Sequence, residues 1–357
     1  MNKINLAVFF GGESLESEIS IITGKQVLHS LNKTKYNIYP IFIDKNGIWW
    51  HIKNFYKQHD IHKAKMCKVL VLMGNNYFYF NNIIQTKIKI HCAINCIHGG
   101  FGESGALNEM LKQCNIPVTS SNLNSGLISL NKYLTKLNLS SNGLSVLPYI
   151  LVTKNSDYKL IDKFISKHNY PFVVKPISMG SSIGVNMVNN KQELIEALNQ
   201  VFALKSDAII EQGIAKVKEY NCACFQNREK LVVSEVEKPI KKSDILTYAE
   251  KYGSKGCKVS TKQGTKSGFA SLGRQFPAKI SESLKHKIQS LTKQAYTIFN
   301  CSGVIRCDYI YYNRKLYLNE INSVPGSLAF YLFEPNTSFT TLLDNLITTA
   351  IMQKSKK

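Results

Sequence analysis

These 357 residues contain no CxxC pair, no Gly-Lys-Ser/Thr phosphate loop and no hydrophobic run long enough to span a bilayer. Each absence excludes a class of protein. The nine cysteines are scattered and odd in number, so neither a disulfide framework nor a zinc site is indicated, and a reducing cytoplasm is the expected location. Cys222 and Cys224 are two apart on an expected strand, which is poor spacing for zinc. Runs such as Phe172-Val173-Val174 fall far short of the roughly 18 apolar residues of a spanning helix, so no membrane partner is expected. Met1-Asn2-Lys3 and then Ile4 to Phe10 lack the hydrophobic length and cleavage site of a signal peptide and read as a first strand. Acid is the scarce charge, with 24 Asp and Glu against 45 Lys and Arg, a formal +21. The lysines are spread out rather than gathered in one stripe, in a chain rich in Lys, Ile and Asn together. We therefore expect solvated surface charge and some attraction for anionic substrates, and no nucleic acid. With 44% hydrophobic and 19% charged residues the chain is globular, and its length accommodates two or three domains.

The first third alternates strand, glycine turn and helix. Asn5 to Phe10 is apolar and ends in Gly11-Gly12, and Ile19, Ile22, Leu28 and Leu31 recur at helical spacing over about Leu15 to Leu31. Tyr39 to Ile43 reads as a second strand, and Ile90 to Ile97 as another, followed by a glycine turn and a helix from about Ala106. This order predicts a parallel sheet with ligands at the carboxyl ends of its strands. Further on we expect a short helical stretch from Leu127 to Leu137 and a helix near Tyr158 to His168. Strands follow at Pro171 to Pro176 and Ser182 to Val188, then a helix from Lys191 to Val201. The remainder is strand-rich, broken by a basic Gly/Ser stretch from Lys251 to Gly273, with a last helix at Ser281 to Phe299. No internal repeat is evident.

Several segments could carry chemistry. Gly100-Phe101-Gly102-Glu103-Ser104-Gly105 fits GxGxxG, but a dinucleotide site needs an acid about twenty residues on, and none occurs between Glu109 and Asp157. The glycines suit free backbone amides that meet a carboxylate or phosphate. His98 is placed either for the same anion or as a structural histidine at a strand end. Glu13, Glu16 and Glu18 follow the first strand; they either complement a helix dipole or supply one acid for a substrate ammonium group. In Val173 to Val185, Lys175 ends an apolar strand, and Gly180 and Gly184 let a small-residue loop approach phosphate. Ile209 to Ile214 is a strand ending in Glu211 and exposed backbone, apt for an adenine edge. Val304 to Tyr312 and Leu316 to Ile321 read as a hairpin turning at Asn313-Arg314-Lys315. Side chains alternate, so Arg306 and Asp308 share a face, as do Glu320 and Asn322. Two carboxylates and an amide oxygen without a nearby thiol or imidazole suit Mg²⁺. The same hairpin also reads as a surface element with scattered charges.

These pieces occur in the order of an ATP-grasp enzyme. The chain resembles D-alanine–D-alanine ligases along nearly its whole length, through VFFGGESLESEIS, IHGGFGESGALNEML, LNKYLTK, VVKPISMGSSIGV, IIEQGI, LTYAEKYGSKG and RCDYIYYNRKLYLNEINSVPGS. The resemblance implies an α/β fold, α+β in its C-terminal part, with a Rossmann-like substrate domain at 1–124. A central ATP-grasp domain at 125–214 and a catalytic domain at 215–357 with a mobile loop at 251–273 would follow. It implies that Lys132, Lys175, Ser182 and Lys251 meet ATP, that Glu211 and the backbone near Ile214 read adenine, and that Glu219 holds the ribose. Asp308, Glu320 and Asn322 would bind two Mg²⁺ ions, with Mn²⁺ as a substitute. Glu16 would take the ammonium of the first D-alanine and His98 its carboxylate. Ser181 and Tyr252 would join Glu16 in a hydrogen-bonded triad, and Arg306 with the Gly326 amide would stabilise a tetrahedral oxyanion. The implied product is D-alanyl-D-alanine for peptidoglycan, made in the cytoplasm by a homodimer. An acyl phosphate must be shielded from water, for which Lys251 to Gly273 is the expected lid, although its composition is equally that of a basic linker.

The chain departs from the family pattern in places. HGxxGEDG reads HGGFGESG, with Ser104 in place of an acid, and the usual Met-Asp-Lys reads Leu-Asn-Lys at Lys132. The interval from Glu211 to Glu219 is one residue longer than is typical of the family, which makes Glu219 the least secure ATP contact, and Lys262 to Lys266 lengthen the lid. After Gly326, where relatives commonly place a serine for the carboxylate of the second D-alanine, stand Leu328-Ala329-Phe330-Tyr331. The hydroxyl of Tyr331 is the candidate replacement. Tyr252 favours an amine over a hydroxy acid as nucleophile. Three readings follow: a D-alanine–D-alanine ligase, a related ligase with another acceptor such as D-serine or D-lactate, and a nucleotide-binding pseudoenzyme. Retention of Glu16, Ser181, Tyr252, Arg306, Asp308, Glu320 and Asn322 argues against the third.

Overall fold

The apolar run Ile4–Gly11 (β1) is buried over its last six residues, as a central parallel strand covered on both faces should be. It pairs in parallel with β2 (Tyr36–Ile43) on one side and β7 (Cys92–Asn95) on the other. The helix Ser17–Ser30 connects β1 to β2, slightly inside the expected span. The computed structural model describes residues 3–53, 66–81, 86–215, 217–240, 273–334 and 336–355.

The parallel arrangement holds for those three strands only. β3 (Trp49–Ile52), β4 (Met66–Val71), β5 (Tyr77–Asn81) and β6 (Thr86–Lys89) extend the sheet as an antiparallel meander, in the order β6-β5-β4-β3-β2-β1-β7. Burial alternates along Val69, Leu70 and their neighbours, the pattern of strands with one solvated face. Phe9 of β1 meets Trp49 and Phe78 edge-on, with centroids 4.8 and 6.1 Å away, which ties this extension to the parallel core.

A second, antiparallel sheet has the order β10-β9-β11-β8, formed by β8 (Tyr149–Val152), β9 (Phe172–Pro176), β10 (Asn186–Val188) and β11 (Ala208–Gln212). The helices Tyr158–His168 and Lys191–Ala203 cover it, N-capped by Asp157 and Asn190. The strand expected from Ser182 is shorter because Ser181, Ser182 and Gly184 have φ of 53°, 61° and 67°, and left-handed backbone cannot continue a ladder. The helical stretch expected at Leu127 to Leu137 is two helices, Leu123–Leu130 and Lys132–Ser141. They are divided at Asn131, whose side chain caps the second by accepting from the Leu134 amide.

The third sheet has the order β14-β13-β12-β15-β16, formed by β12 (Lys218–Asn227), β13 (Lys230–Pro239), β14 (Arg274–Gln275), β15 (Val304–Tyr312) and β16 (Lys315–Asn322). One face carries Cys222, Cys224, Ile305, Cys307 and Tyr309 into a core shared with the helix Glu282–Ile298. The opposite face is polar. At the same level across four strands, Glu237 pairs with Asn221, Asn221 with Asp308, and Asp308 with Glu320. A bulge follows this last pair, since Tyr309 pairs with Leu318 and Asn319 is the extra residue.

The helix Phe339–Ser355 was not assigned from sequence. It sends Leu342, Leu343, Leu346 and Ile347 into a core with Val8, Phe10 and Leu28 of the first sheet's layer and Phe225 of the third sheet. Asp344 accepts hydrogen bonds from Tyr36 Oη (2.7 Å) and Lys35 Nζ (2.6 Å). The end of the chain thus fastens the first sheet to the third. The cysteines among the described residues are buried and unpaired, acting as small hydrophobes. Among the described residues no helix is long and apolar enough to cross a membrane. Because Leu342 is fully buried at this junction, Leu342→Ala is expected to lower the unfolding free energy by about 2–5 kcal/mol, as measured by urea unfolding.

Candidate active site

The carboxyl end of β1, the loop between β9 and β10 and the polar face of the third sheet converge on one cleft of about 320 Å³. Four basic side chains and seven carboxylates line it, so this cleft in a strongly basic chain is itself acidic among the described residues. Cations must enter with any polyphosphate that binds here.

At one end lies a buried charge cluster. Lys175 Nζ is 2.8 Å from Glu211 Oε2 and 3.4 Å from Asn319 Oδ1, and Lys136 Nζ is 3.4 Å from Glu211 Oε1. Lys136 is fully buried and Glu211 is 1% exposed. Burial disfavours the Glu211 carboxylate, but the two ammonium groups override it and hold its pKa below the usual range. Burial lowers the Lys136 pKa against the pull of Glu211, whereas for Lys175 burial is outweighed by Glu211, Glu320 and Glu219 and the pKa rises. The Lys136–Glu211 contact is an ion pair only. Among the described residues neither Lys136 Nζ nor Glu211 Oε1 has a hydrogen-bond partner, and a buried acceptor left this way matches an exocyclic amine such as that of adenine. Lys132, Ser182, Ile214 and Glu219 line the same cleft, and Lys132 Nζ donates to the Met179 carbonyl.

The hairpin β15–β16 forms the floor. Arg306 donates to both oxygens of Asp308, Nε at 2.7 Å and Nη2 at 2.8 Å, and Asn322 Nδ2 reaches Asp308 Oδ2 at 3.2 Å. Burial works against the Arg306 charge, but Asp308 outweighs it and the guanidinium stays protonated. Asn322 donates through its nitrogen, which leaves its amide oxygen for a cation. Among the described residues no three His, Cys, Asp or Glu side chains cluster for a metal; the candidate set is therefore two carboxylates, Asp308 and Glu320, with the amide of Asn322. An all-oxygen set in a cleft with surplus carboxylates fits Mg²⁺ or Mn²⁺.

Opposite the floor, Glu16 stands at the N-terminus of the helix Ser17–Ser30 and accepts a hydrogen bond from Ser181 Oγ across the cleft. Glycines on both sides make room for it: a Cβ at Gly180 or Gly99 would lie 2.7 or 3.0 Å from Glu16 Oε2. His98 is 3% exposed and does not line the cleft. Its Nε2 is 2.9 Å from Thr23 Oγ1, which in turn accepts from the Ser327 amide at 3.0 Å. The histidine therefore supports the turn Gly326–Leu332, in which Ser327, Leu328 and Ala329 all have left-handed backbone and which brings Gly326 and Tyr331 to the cleft. The amides of Gly102, Glu103 and Ser104 bond within their own turn, and a Cβ at Gly102 would fall 2.3 Å from the Ile97 carbonyl, so Gly102 serves packing. Tyr252, Lys251 and the expected lid lie outside the described residues.

Four contributors were not singled out from the sequence. Lys136 sat unremarked in LNKYLTK four residues after Lys132, one helical turn away, and that spacing was the available signal. Asn319 enters the cleft only because of the bulge. Arg274 and Glu237 belong to strands whose register the sequence does not reveal.

Two antiparallel sheets closing on an acidic cleft, beside a parallel-stranded layer that contributes Glu16 and Glu103, define the ATP-grasp class of enzyme fold. Family models described as the N-terminus and the C-terminus of D-ala D-ala ligase match residues 5–121 and 139–348. The chain belongs to the D-alanine–D-alanine ligase family. It is 33% identical over 364 residues to a D-alanine–D-alanine ligase of Thermosipho melanesiensis, covering 99% of this chain and 96% of that one. The solved D-alanine-D-alanine ligase from Coxiella burnetii is similar at a TM-score of 0.84 and 25% identity, over 100% of this chain and 96% of that one. The VanG D-Ala:D-Ser ligase from Enterococcus faecalis is similar at a TM-score of 0.83 and 26% identity, over 98% and 100%.

Removing one cation from a buried carboxylate is costly. Lys136→Met is therefore expected to lower the unfolding free energy by about 3 kcal/mol and to weaken ATP binding, as read by urea unfolding and nucleotide titration.

Proposed function

We propose that this protein joins two D-alanines into D-alanyl-D-alanine, with ATP cleaved to ADP and phosphate, for peptidoglycan synthesis. The observation that carries the reading is the convergence of Arg306, Asp308, Glu320 and Asn322 on the cleft floor opposite the Glu16–Ser181 contact. That geometry brings an ammonium receptor, an anion stabiliser and an oxygen ligand set to one small volume.

In this reading Glu16, held by Ser181, receives the ammonium of the first D-alanine, and Lys132, Lys175 and Ser182 meet the nucleotide. Glu211 and the backbone at Ile214 contact adenine, and Glu219 contacts ribose. His98, whose Nδ1 lies 3.8 Å from Glu103 at the cleft, takes the carboxylate of the first D-alanine. A carboxylate oxygen of the first D-alanine attacks the γ-phosphorus, the bond to ADP breaks, and an acyl phosphate forms. The neutral amine of the second D-alanine then attacks the acyl carbon, having lost its proton. Arg306 and the Gly326 amide take up the oxyanion charge, and the C–O bond to phosphate breaks; loss of one such donor typically costs about 3 kcal/mol. Asp308, Glu320 and Asn322 would hold Mg²⁺, which supplies positive charge to the phosphates when bound. Lys251, Tyr252 and the lid at 251–273 complete the site by resemblance alone. The same reading assigns the ranges 1–124, 125–214 and 215–357 to the three domains and places a homodimer in the cytoplasm, with Tyr331 bordering the second substrate.

A second reading, D-serine as acceptor, is favoured by Tyr331 standing where relatives commonly carry a serine and by the similarity to a D-Ala:D-Ser ligase. Incubation with ATP, Mg²⁺ and D-alanine, with and without D-serine, separates the two by product mass. The leading reading expects D-alanyl-D-alanine and ADP; ATP bound but no dipeptide from D-alanine alone moves the assignment to another acceptor. Glu320→Gln is expected to abolish turnover with an unchanged unfolding midpoint, and near-normal activity in that variant would overturn the metal assignment.

A further inference from the structure

The second substrate is an α-amino acid, so its carboxylate sits on the carbon that bears the attacking nitrogen. A receptor for that carboxylate must therefore adjoin Arg306 and Gly326. The fork of Arg306 is already engaged by both oxygens of Asp308. Among the described residues the other cation that lines the cleft beside Arg306, Gly326 and Tyr331 is Arg274, the first residue of β14.

Three elements hold the Arg274 side chain in place. Its guanidinium carbon lies 4.2 Å from the centre of the Tyr331 ring, the stacked arrangement that favours arginine over lysine. Its Nη1 donates to Glu237 Oε2 at 3.2 Å. Glu237 is 4% exposed and is itself fixed at Oε1 by Asn221 Nδ2 at 2.9 Å. Among the described residues only this one nitrogen of the fork is engaged, so Nε and Nη2 are available for parallel bonds to a second carboxylate. Arg274 and Arg306 open onto the same cleft beside Tyr331 and Gly326, so the acceptor's nitrogen and its carboxylate can face different guanidiniums. Burial and then Glu237 keep the Tyr331 phenol protonated, which makes the ring a neutral platform.

We propose that Arg274, stacked on Tyr331 and set by Glu237, binds the carboxylate of the second amino acid. The proposal rests on the ligase reading and deepens it. It supplies a charged receptor beside Tyr331, where Ser327 is buried and does not line the cleft, and it serves D-alanine and D-serine equally, because both present the same carboxylate.

The test is an internal competition. The protein is given ATP, Mg²⁺ and an equal mixture of D-alanine and D-alaninamide, and the two products are weighed by mass spectrometry. D-Alaninamide has no carboxylate to activate, so it enters only as acceptor. The unsubstituted protein is expected to prefer D-alanine. Arg274→Met is expected to cut the ratio of dipeptide to dipeptide amide about 10- to 100-fold, the value of a charged hydrogen bond, with an unchanged KM for ATP. Arg274→Lys keeps the charge but loses the fork; it is expected to shift the ratio the same way by less, and it carries the test if the Met variant does not fold. A product ratio that does not move in either variant overturns the proposal, as does a rise in the KM for ATP equal to the rise for the acceptor. No ADP release by the unsubstituted protein with D-alanine is a different failure: it overturns the ligase reading, and this assignment with it.

Discussion

The cleft depends on the register of the third sheet. Glu237, Asn221, Asp308 and Glu320 stand abreast on four adjacent strands only because β13, β12, β15 and β16 pair as they do. A slip of one residue would exchange the two faces, sending these polar groups into the core beside the helix Glu282–Ile298 and exposing Cys222, Cys307 and Tyr309. That cost is why the arrangement is single-valued. The bulge at Asn319 refines it: Leu318 and Ile321 both stay in the core while Asn319, Glu320 and Asn322 all face the cleft.

Electrostatics then complete what register begins. The chain carries a large positive charge, yet its cleft has more carboxylates than cations among the described residues. Each buried charge has a counter-charge: Glu211 lies between Lys136 and Lys175, Asp308 is held by Arg306, and Glu237 by Arg274. Such pairs are held in place by desolvation, since losing either member strands the other. The surface lysines matter for the long-range field, whereas these pairs set the local chemistry.

Motif-bearing parts of the chain were largely legible in its sequence. The helix Tyr158–His168, the strand after Pro171 and the terminal hairpin follow from apolar periodicity and turn residues, which are local signals. The pairing of Arg306 with Asp308 and of Glu320 with Asn322 on common faces follows from strand alternation alone. Other features are not local. For the strands β3–β6, only pairing decides that they run antiparallel. The helix Phe339–Ser355 is rich in threonine, a weak helix former, and is held by packing against β1 and Phe225. The hydrogen bond between His98 and Thr23, continued to the Ser327 amide, joins segments more than 200 residues apart and is likewise not a local signal.

The central claim is that the cleft turns a carboxylate into an acyl phosphate before a second amine attacks it. D-Alanine labelled with ¹⁸O in its carboxylate, turned over with ATP and Mg²⁺, tests this directly through the mass of the inorganic phosphate released. The account predicts that one carboxylate ¹⁸O appears in the phosphate for each dipeptide formed. Dipeptide formation with unlabelled phosphate would contradict it.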